Sequence, residues 1–244
     1  IRAMKYSFVT VGIWWILFSQ YTFYYLPKGV KRPGVRQNII FNGFKELKGV
    51  WHQLGNEIKL KRYLAAFFVY SMAVQTVMLI ATYFGEQEIN WGSDSERTTG
   101  LIVSILVIQL VAIFGATMTA KASKKFGNIK TLMGINILWV IICIYAYFLI
   151  TPIDFYIAAG CVGIVMGGIQ ALSRSTYSKF IPETTDTASF FSFYDVAEKL
   201  GIVIGTFLYG FIAQFTGSMR NATIFLGLFF LCGLFLLTRV HKKP

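Results

Sequence analysis

Asp195, Glu198 and Lys199 lie within one otherwise apolar run, from Ser189 to Gly210. If that run crosses a membrane as a helix, each charge near its centre costs about 2.5 to 3.5 kcal/mol, or roughly 8 to 10 for the set. The Phe, Ile, Leu and Val residues between Ser189 and Ile212 return about 0.3 to 0.6 kcal/mol each, roughly 5 together. The shortfall predicts a helix with partners inside a bundle. Asp195 and Lys199 stand four apart with the acid first, the favourable order for an ion pair on one helix face. Facing a cavity, such a pair can hold a solute carboxylate or respond to a coupling proton. Glu198 points about 100° from Lys199, toward a neighbouring helix. The alternative is a helix that projects from the membrane, with these charges at the headgroups beside the aromatic residues Phe190, Phe191, Phe193 and Tyr194. Gln75, Gln109, Asn136 and Gln170 fall inside other apolar runs. At that depth each needs an interhelical hydrogen bond or a watered cavity, so these residues join the charged ones as candidates for a solute or ion pathway.

Other chemistry lacks its residues. Cys143, Cys161 and Cys232 sit in apolar runs with no ligand spacing, and read as packing residues. His52 and His241 lie outside those runs and have no metal-site partner at usable spacing. There is no H-E-x-x-H, no G-x-S-x-G and no nucleophile beside a base. The expectation is a protein that is not an enzyme and has no catalytic residue, bound metal or cofactor. A transporter of a small polar solute leads. A non-transporting scaffold or receptor is the alternative, against which the charged cluster argues, and an intramembrane enzyme comes third.

The elements that must hold these residues follow from composition. The 244 residues are 55% hydrophobic and 14% charged, which points to a membrane protein. Seven segments are long enough to cross a bilayer: Tyr6 to Pro27, Tyr63 to Gly85, Thr98 to Ala120, Thr131 to Ile153, Phe155 to Ser173, the charged run itself, and Asn221 to Thr238. None shows the ten-residue alternation of a membrane barrel. The fold class is therefore an all-α membrane protein, a polytopic bundle of seven transmembrane helices. No signal peptide with a cleavage site opens the chain, and the lack of an initiator methionine suggests the C-terminal portion of something longer.

The formal net charge of +12 does not imply nucleic acid, because the bases sit between spans, where anionic headgroups attract them. Lys28, Lys31, Arg32, Arg36, Lys45, Lys48, Lys59, Lys61 and Arg62 lie between the first two spans. Lys121, Lys124, Lys125 and Lys130, then Arg174 and Lys179, then Arg239, Lys242 and Lys243 continue the bias in alternate loops. The other loops carry Glu86, Glu88, Asp94, Glu96 and Asp154 with few bases. The positive-inside rule then predicts an external N-terminus and a cytoplasmic C-terminus. In the first long linker, Ile40, Phe44, Leu47, Trp51, Leu54 and Ile58 form one apolar stripe, predicting a helix along the cytoplasmic membrane face or a short helix packed on the bundle's end. Gly163 and Gly167, and again Gly201 and Gly205, stand four apart and predict close helix approach. A turn of Gly127 to Lys130 is echoed by Gly217 to Arg220, which suggests inverted three-helix repeats.

Longer stretches carry a family likeness. G-G-I-Q-A-L-S-R-S (Gly167 to Ser175), I-P (Ile181, Pro182) and F-F-S-F-Y-D-V-A-E-K-L-G (Phe190 to Gly201) together resemble the Atg22-like branch of the major facilitator superfamily. Y-S-M-A-V-Q-T (Tyr70 to Thr76) looks like that branch's motif in the first helix of its C-terminal half. The resemblance covers nearly the whole chain. It implies the last transmembrane helix of an N-terminal half at 1–27, a cytoplasmic linker at 28–61 and the C-terminal six-helix bundle at 62–244. It also implies alternating access, with the missing N-terminal helices, membrane lipid and a small solute as partners, and residence in a bacterial cytoplasmic membrane. Fungal members are described as vacuolar amino-acid exporters, so amino acids enter as a solute class.

The superfamily's loop motif has an Asp, a base, any residue, a Gly and further bases. Here it reads Lys124, Lys125, Phe126, Gly127, Asn128, with Lys124 in the place of the Asp. Lys124, Lys125, Gly127 and Arg174 are the candidates for a cytoplasmic gate.

Overall fold

The computed structural model describes residues 2–26, 39–55, 57–184 and 186–241, and their regular structure is helical throughout. The helices are α1 (Arg2–Tyr25), α2 (Ile39–Leu54), α3 (Ile58–Glu88), α4 (Asp94–Phe126), α5 (Asn128–Tyr147), α6 (Pro152–Phe180), α7 (Thr187–Thr216) and α8 (Met219–His241). They fall into two compact units, Ile1–Asn42 and Gly43–Pro244. In the first, α1 is long enough to cross a bilayer, at about 36 Å, but it is laden with Trp and Tyr. In the second, α3 to α8 are six helices both long and apolar enough to cross. The composition of the described helices thus supports six spans where the sequence pattern predicts seven.

Local chemistry sets the ends. Ser93 Oγ accepts from the Glu96 amide and caps α4, with Asp94 and Glu96 in its positively polarised first turn. Thr151 and Asp154 form a reciprocal capping box on α6, with Pro152 at its start. Asp186 accepts from the Ser189 amide and caps α7. The two echoed turn glycines both take positive φ, 85° at Gly127 and 65° at Gly217, where an L side chain would be strained. The connections are short, so consecutive helices from α3 to α8 run antiparallel. One end of the bundle then carries the basic loops, and the opposite end carries Glu86, Glu88, Asp94, Glu96 and Asp154.

The packing follows from what a lipid medium leaves available. Lipid tails are as apolar as leucine, so helices associate through close van der Waals contact and hydrogen bonds. Along α4 and α6 the backbones meet: a Cβ on Gly167 would strike the Ala112 carbonyl, one on Gly115 the Ile164 carbonyl, and one on Gly163 would lie 2.9 Å from the Ile108 carbonyl. A second seam joins α7 to α3, where a Cβ on Gly205 would overlap the Thr76 hydroxyl, and Gly201 faces Met72. The two spans with G-x-x-x-G spacing therefore do not seal against each other; each seals against a different, parallel helix. Exchanging α3, α4 and α5 for α6, α7 and α8 maps one seam onto the other, as inverted repeats require. Trp139 and Phe230 stack at 5.1 Å to join α5 and α8 in the core.

At the acidic end Arg220 makes the tightest polar junction. Its guanidinium lies 2.7 Å from the Glu88 carboxylate and donates to the carbonyls of Tyr147 and Glu88, both at 2.9 Å. One side chain so fastens the ends of α3 and α5 to the start of α8.

The linker expectation needs correction in one respect. The apolar stripe does not run on to Ile58 in a single helix: α2 stops at Leu54, where the Gly55 amide donates to the His52 carbonyl, and Ile58 opens α3. Val50 and Leu54 are buried against the bundle, whereas Phe44 and Trp51 are exposed along a flank. The Ile40 side chain and the bases Lys28, Lys31, Arg32 and Arg36 lie outside the described residues, as do Lys242 and Lys243.

The seams yield a graded prediction. Gly167→Ala overpacks α4 against α6 and destabilises the protein by about 1–3 kcal/mol. Gly160→Ala, on the same helix with open space at its Cβ, is neutral or gains up to about 1 kcal/mol from helix propensity. Thermal unfolding of the two variants in detergent, followed by size exclusion, separates the outcomes; equal melting temperatures would remove the seam from the packing argument.

Candidate functional site

A cavity of about 270 Å³ opens between α3, α6 and α7. Its walls are Phe67, Tyr70, Ser71, Val74 and Gln75 of α3, Ile169 to Arg174 of α6, and Tyr194 and Glu198 of α7, with only Leu172 of that α6 stretch turned away. At 1.5 Å per residue Glu198 lies about 16 Å into α7 and Gln75 about 26 Å into α3, so the cavity reaches well into the bundle from the basic end.

The α7–α3 seam positions its central contact. Gly201 and Gly205 let α7 lie flush on α3, which brings Glu198, one turn before Gly201, to Gln75. The Gln75 Nε2 donates to Glu198 Oε1 at 2.6 Å. A hydrogen bond to an ionised acceptor of that length is a strong one and offsets part of the cost of a carboxylate at this depth. Ser71, on the same wall, has a buried hydroxyl with no protein partner.

Nearer the basic end, Arg174 spans two helices. Its Nη1 lies 3.4 Å from Asp195 Oδ1, and its guanidinium rests over the Phe191 and Tyr194 rings at 5.3 and 5.9 Å. Behind it stands a hydroxyl network. Tyr63 donates to the Ser173 carbonyl at 2.7 Å, Tyr70 shares a 2.7 Å hydrogen bond with Ser173 Oγ, and Tyr177 donates to the Phe190 carbonyl at 2.7 Å. The Phe67 ring stacks on Tyr194 at 4.1 Å. These contacts fix the rotation of α6 and α7 about α3, and with it the direction in which Arg174 and Glu198 point.

The sequence candidates are thus redistributed. Asp195 pairs with Arg174 on another helix and not with Lys199 on its own; the correct helical spacing existed, but the guanidinium across the helix contact captures the carboxylate. Lys199 is exposed and does not line the cavity, whereas Glu198, the weaker expectation, does. Gln75 and Gln170 line it too, and Gln170 Nε2 reaches Met78 Sδ at 3.5 Å. Gln109 is exposed on α4, away from the cavity. Asn136 is fully buried on α5, where its amide donates to the Leu132 carbonyl at 2.8 Å and its Oδ1 has no protein partner. It does not line the cavity.

In the α4–α5 turn, Lys124 and Lys125 are exposed and Gly127 supplies the positive-φ corner. The holding residue is one the sequence reading passed over: Asn128. It accepts from Ser123 Oγ at 3.1 Å and Lys179 Nζ at 3.3 Å and donates to Thr176 Oγ1 at 3.0 Å, tying the turn to the end of α6. Among the described residues no three His, Cys, Asp or Glu side chains gather closely enough to hold a metal ion.

Comparison with known proteins agrees with this architecture. The chain is 31% identical over 248 residues to the uncharacterized MFS-type transporter YxiO of Bacillus subtilis, covering 99% of the chain and 54% of that protein. It is 27% identical over 244 residues to autophagy-related protein 22 of Eremothecium gossypii, covering 93% of the chain and 47% of that protein. The chain therefore spans about half the length of these relatives. The crystal structure of the Escherichia coli fucose:proton symporter superposes with a TM-score of 0.64 at 14% identity, over 93% of the chain and 53% of the symporter, which establishes the shared fold. The family model described as vacuole effluxer Atg22-like matches residues 2–243, and the chain belongs to that family of major facilitator transporters.

Proposed function

We propose that the chain supplies the C-terminal half of a secondary transporter that moves a small polar solute, with amino acids the favoured class, by alternating access. The observation that carries this reading is the cavity in which an acid, Glu198, and a base, Arg174, share a wall with Gln75 and the unpartnered Ser71 hydroxyl. A zwitterion presents an ammonium and a carboxylate, and this pair matches both. Residues 1–27 act as the last helix of the preceding half, and 28–61 as the linker. The face of that missing half completes the site near the midplane. Arg174 with Asp195, and the turn of Lys124, Lys125 and Gly127 held by Asn128, form the cytoplasmic gate. The bias of bases toward one end supports a cytoplasmic C-terminus and an external Ile1. A bacterial cytoplasmic membrane is the setting, and the effluxer named in the family description supports export.

Reconstitution of the full-length protein in proteoliposomes, with counterflow of a labelled amino-acid panel, tests the reading. Hydrogen bonds to charged groups contribute about 1.5–3 kcal/mol, so Glu198→Gln and Arg174→Gln each lower transport by about 10- to 100-fold while insertion is retained. Lys199 is exposed and off the cavity wall, so Lys199→Met lowers transport only if the opposing half brings this base to the solute; a normal rate would remove Lys199 from the mechanism. Absence of counterflow with every solute in the panel would favour the scaffold reading.

Stability separates gate from cavity. The Arg174 and Asp195 side chains are each about half exposed, at 54% and 47%. Asp195→Asn therefore changes unfolding by no more than about 1 kcal/mol, yet it impairs transport if the pair gates the pathway. A large drop in melting temperature with transport intact would make the pair a structural contact.

A further inference from the structure

A second, larger cavity lies outside the solute site. Its volume is about 730 Å³, within the range of about 300–1,000 Å³ usual for small-molecule sites. It runs between α2, α3 and α7, lined by apolar side chains that include Trp51, Leu64, Phe68, Phe193 and Leu200. Its polar lining is basic: Lys61 and His52, with no carboxylate among the lining residues. Trp51 leans toward Phe193 at 6.1 Å and frames the mouth. Lys48, exposed, precedes Trp51 and His52 by three and four residues and so shares their flank of α2.

We infer that this groove is a binding site for an anionic phospholipid. One acyl chain would lie along Leu64, Phe68 and Leu200, and the phosphate would meet Lys61, with His52 and Lys48 beside it. The order of chemistry along the groove, apolar within and basic at the mouth, matches the order of chain and headgroup in a phospholipid. Its depth matches too, because α2 and the first turns of α3 and α7 sit at the bundle end that carries the basic loops, where headgroups lie. Lys61 and Lys48, both exposed at this end, supply positive charge that an anionic headgroup complements. The groove shares no lining residue with the solute cavity. This inference therefore stands apart from the proposed transport activity.

The test uses full-length protein in phosphatidylcholine vesicles doped with phosphatidylglycerol carrying a mid-chain diazirine, with the equivalent phosphatidylcholine probe as comparison. After irradiation, adducts are mapped by mass spectrometry to the segments 61–68 and 193–200. Phosphatidylglycerol adducts there should exceed phosphatidylcholine adducts by about fivefold, as expected for one base near the headgroup. Lys61→Glu should bring the two probes level, and Lys61→Arg should keep the preference. Ala197→Trp, which fills the groove, should remove both kinds of adduct while the protein stays monodisperse. Equal labelling by the two probes in the unmodified protein, a preference unaffected by Lys61→Glu, or no adducts in either segment would each overturn the proposal. In the last case the groove would be covered by protein.

Discussion

The bundle depends on backbone reaching backbone. In water a helix pair is driven together by apolar burial, but between lipid-facing helices that drive is absent, and close van der Waals contact and hydrogen bonds must offset the loss of lipid contacts. Two seams supply that close contact here, α4 with α6 at Gly115, Gly163 and Gly167, and α3 with α7 at Gly201 and Gly205. Both join parallel helices that no short loop could hold side by side. The second seam also sets the chemistry: with α7 seated against Met72 and Thr76, Glu198 has Gln75 within 2.6 Å. A bulkier residue at Gly205 would lift Glu198 away from its only hydrogen-bond donor among the described residues.

Placing three charges on one transmembrane helix looks prohibitive when that helix is considered alone. The bundle meets the cost differently for each. Asp195 takes an arginine from α6, Glu198 takes an amide from α3, and Lys199 remains exposed on a long side chain that can extend toward water. The helix thus relies on its neighbours at two of the three positions. The contacts from α3 and α6 offset part of the cost of carrying charge on a spanning helix.

Six of the seven expected spans, the alternating direction of those helices and the family were legible in the sequence because each rests on a local or one-dimensional signal: apolar length, the side on which bases fall, and contiguous motifs. The glycine pairs were legible as surfaces of close approach but not as to their partners. Helical spacing says which residues share a face of one helix; it does not say how that helix is rotated in the bundle. Hence Asp195 and Lys199 looked like a pair, while the actual partner, Arg174, is twenty-one positions earlier in the chain. The same limit hid Tyr63, Tyr70 and Ser173, although two tyrosines seven apart on α3 were a visible hint of one hydroxylated face. At the α4–α5 turn the motif shows that Lys124 replaces an Asp but not that Asn128 holds the turn, because its amide both donates to Thr176 and accepts from Ser123, two contacts that exist only once the helices are packed.

The arginine contacts at the two ends of the bundle are unequal, and the inequality suits the alternating access proposed above. At the acidic end Arg220 bonds through three nitrogens to α3 and α5, at 2.7 to 2.9 Å, and is only about a quarter exposed. At the basic end Arg174 meets Asp195 through a single contact at 3.4 Å with both groups half in solvent, and shares its charge with two aromatic faces. A half-exposed pair of that geometry contributes little, about 0–1 kcal/mol, whereas several partly buried charge-assisted bonds contribute more and do not easily exchange partners. On the proposed reading the acidic end keeps α3, α5 and α8 together as one rigid body. At the basic end the hydroxyl network holds α3, α6 and α7, and it is the Arg174–Asp195 contact alone, beside the cavity, that can be traded for one with solute or with the opposing half at small cost.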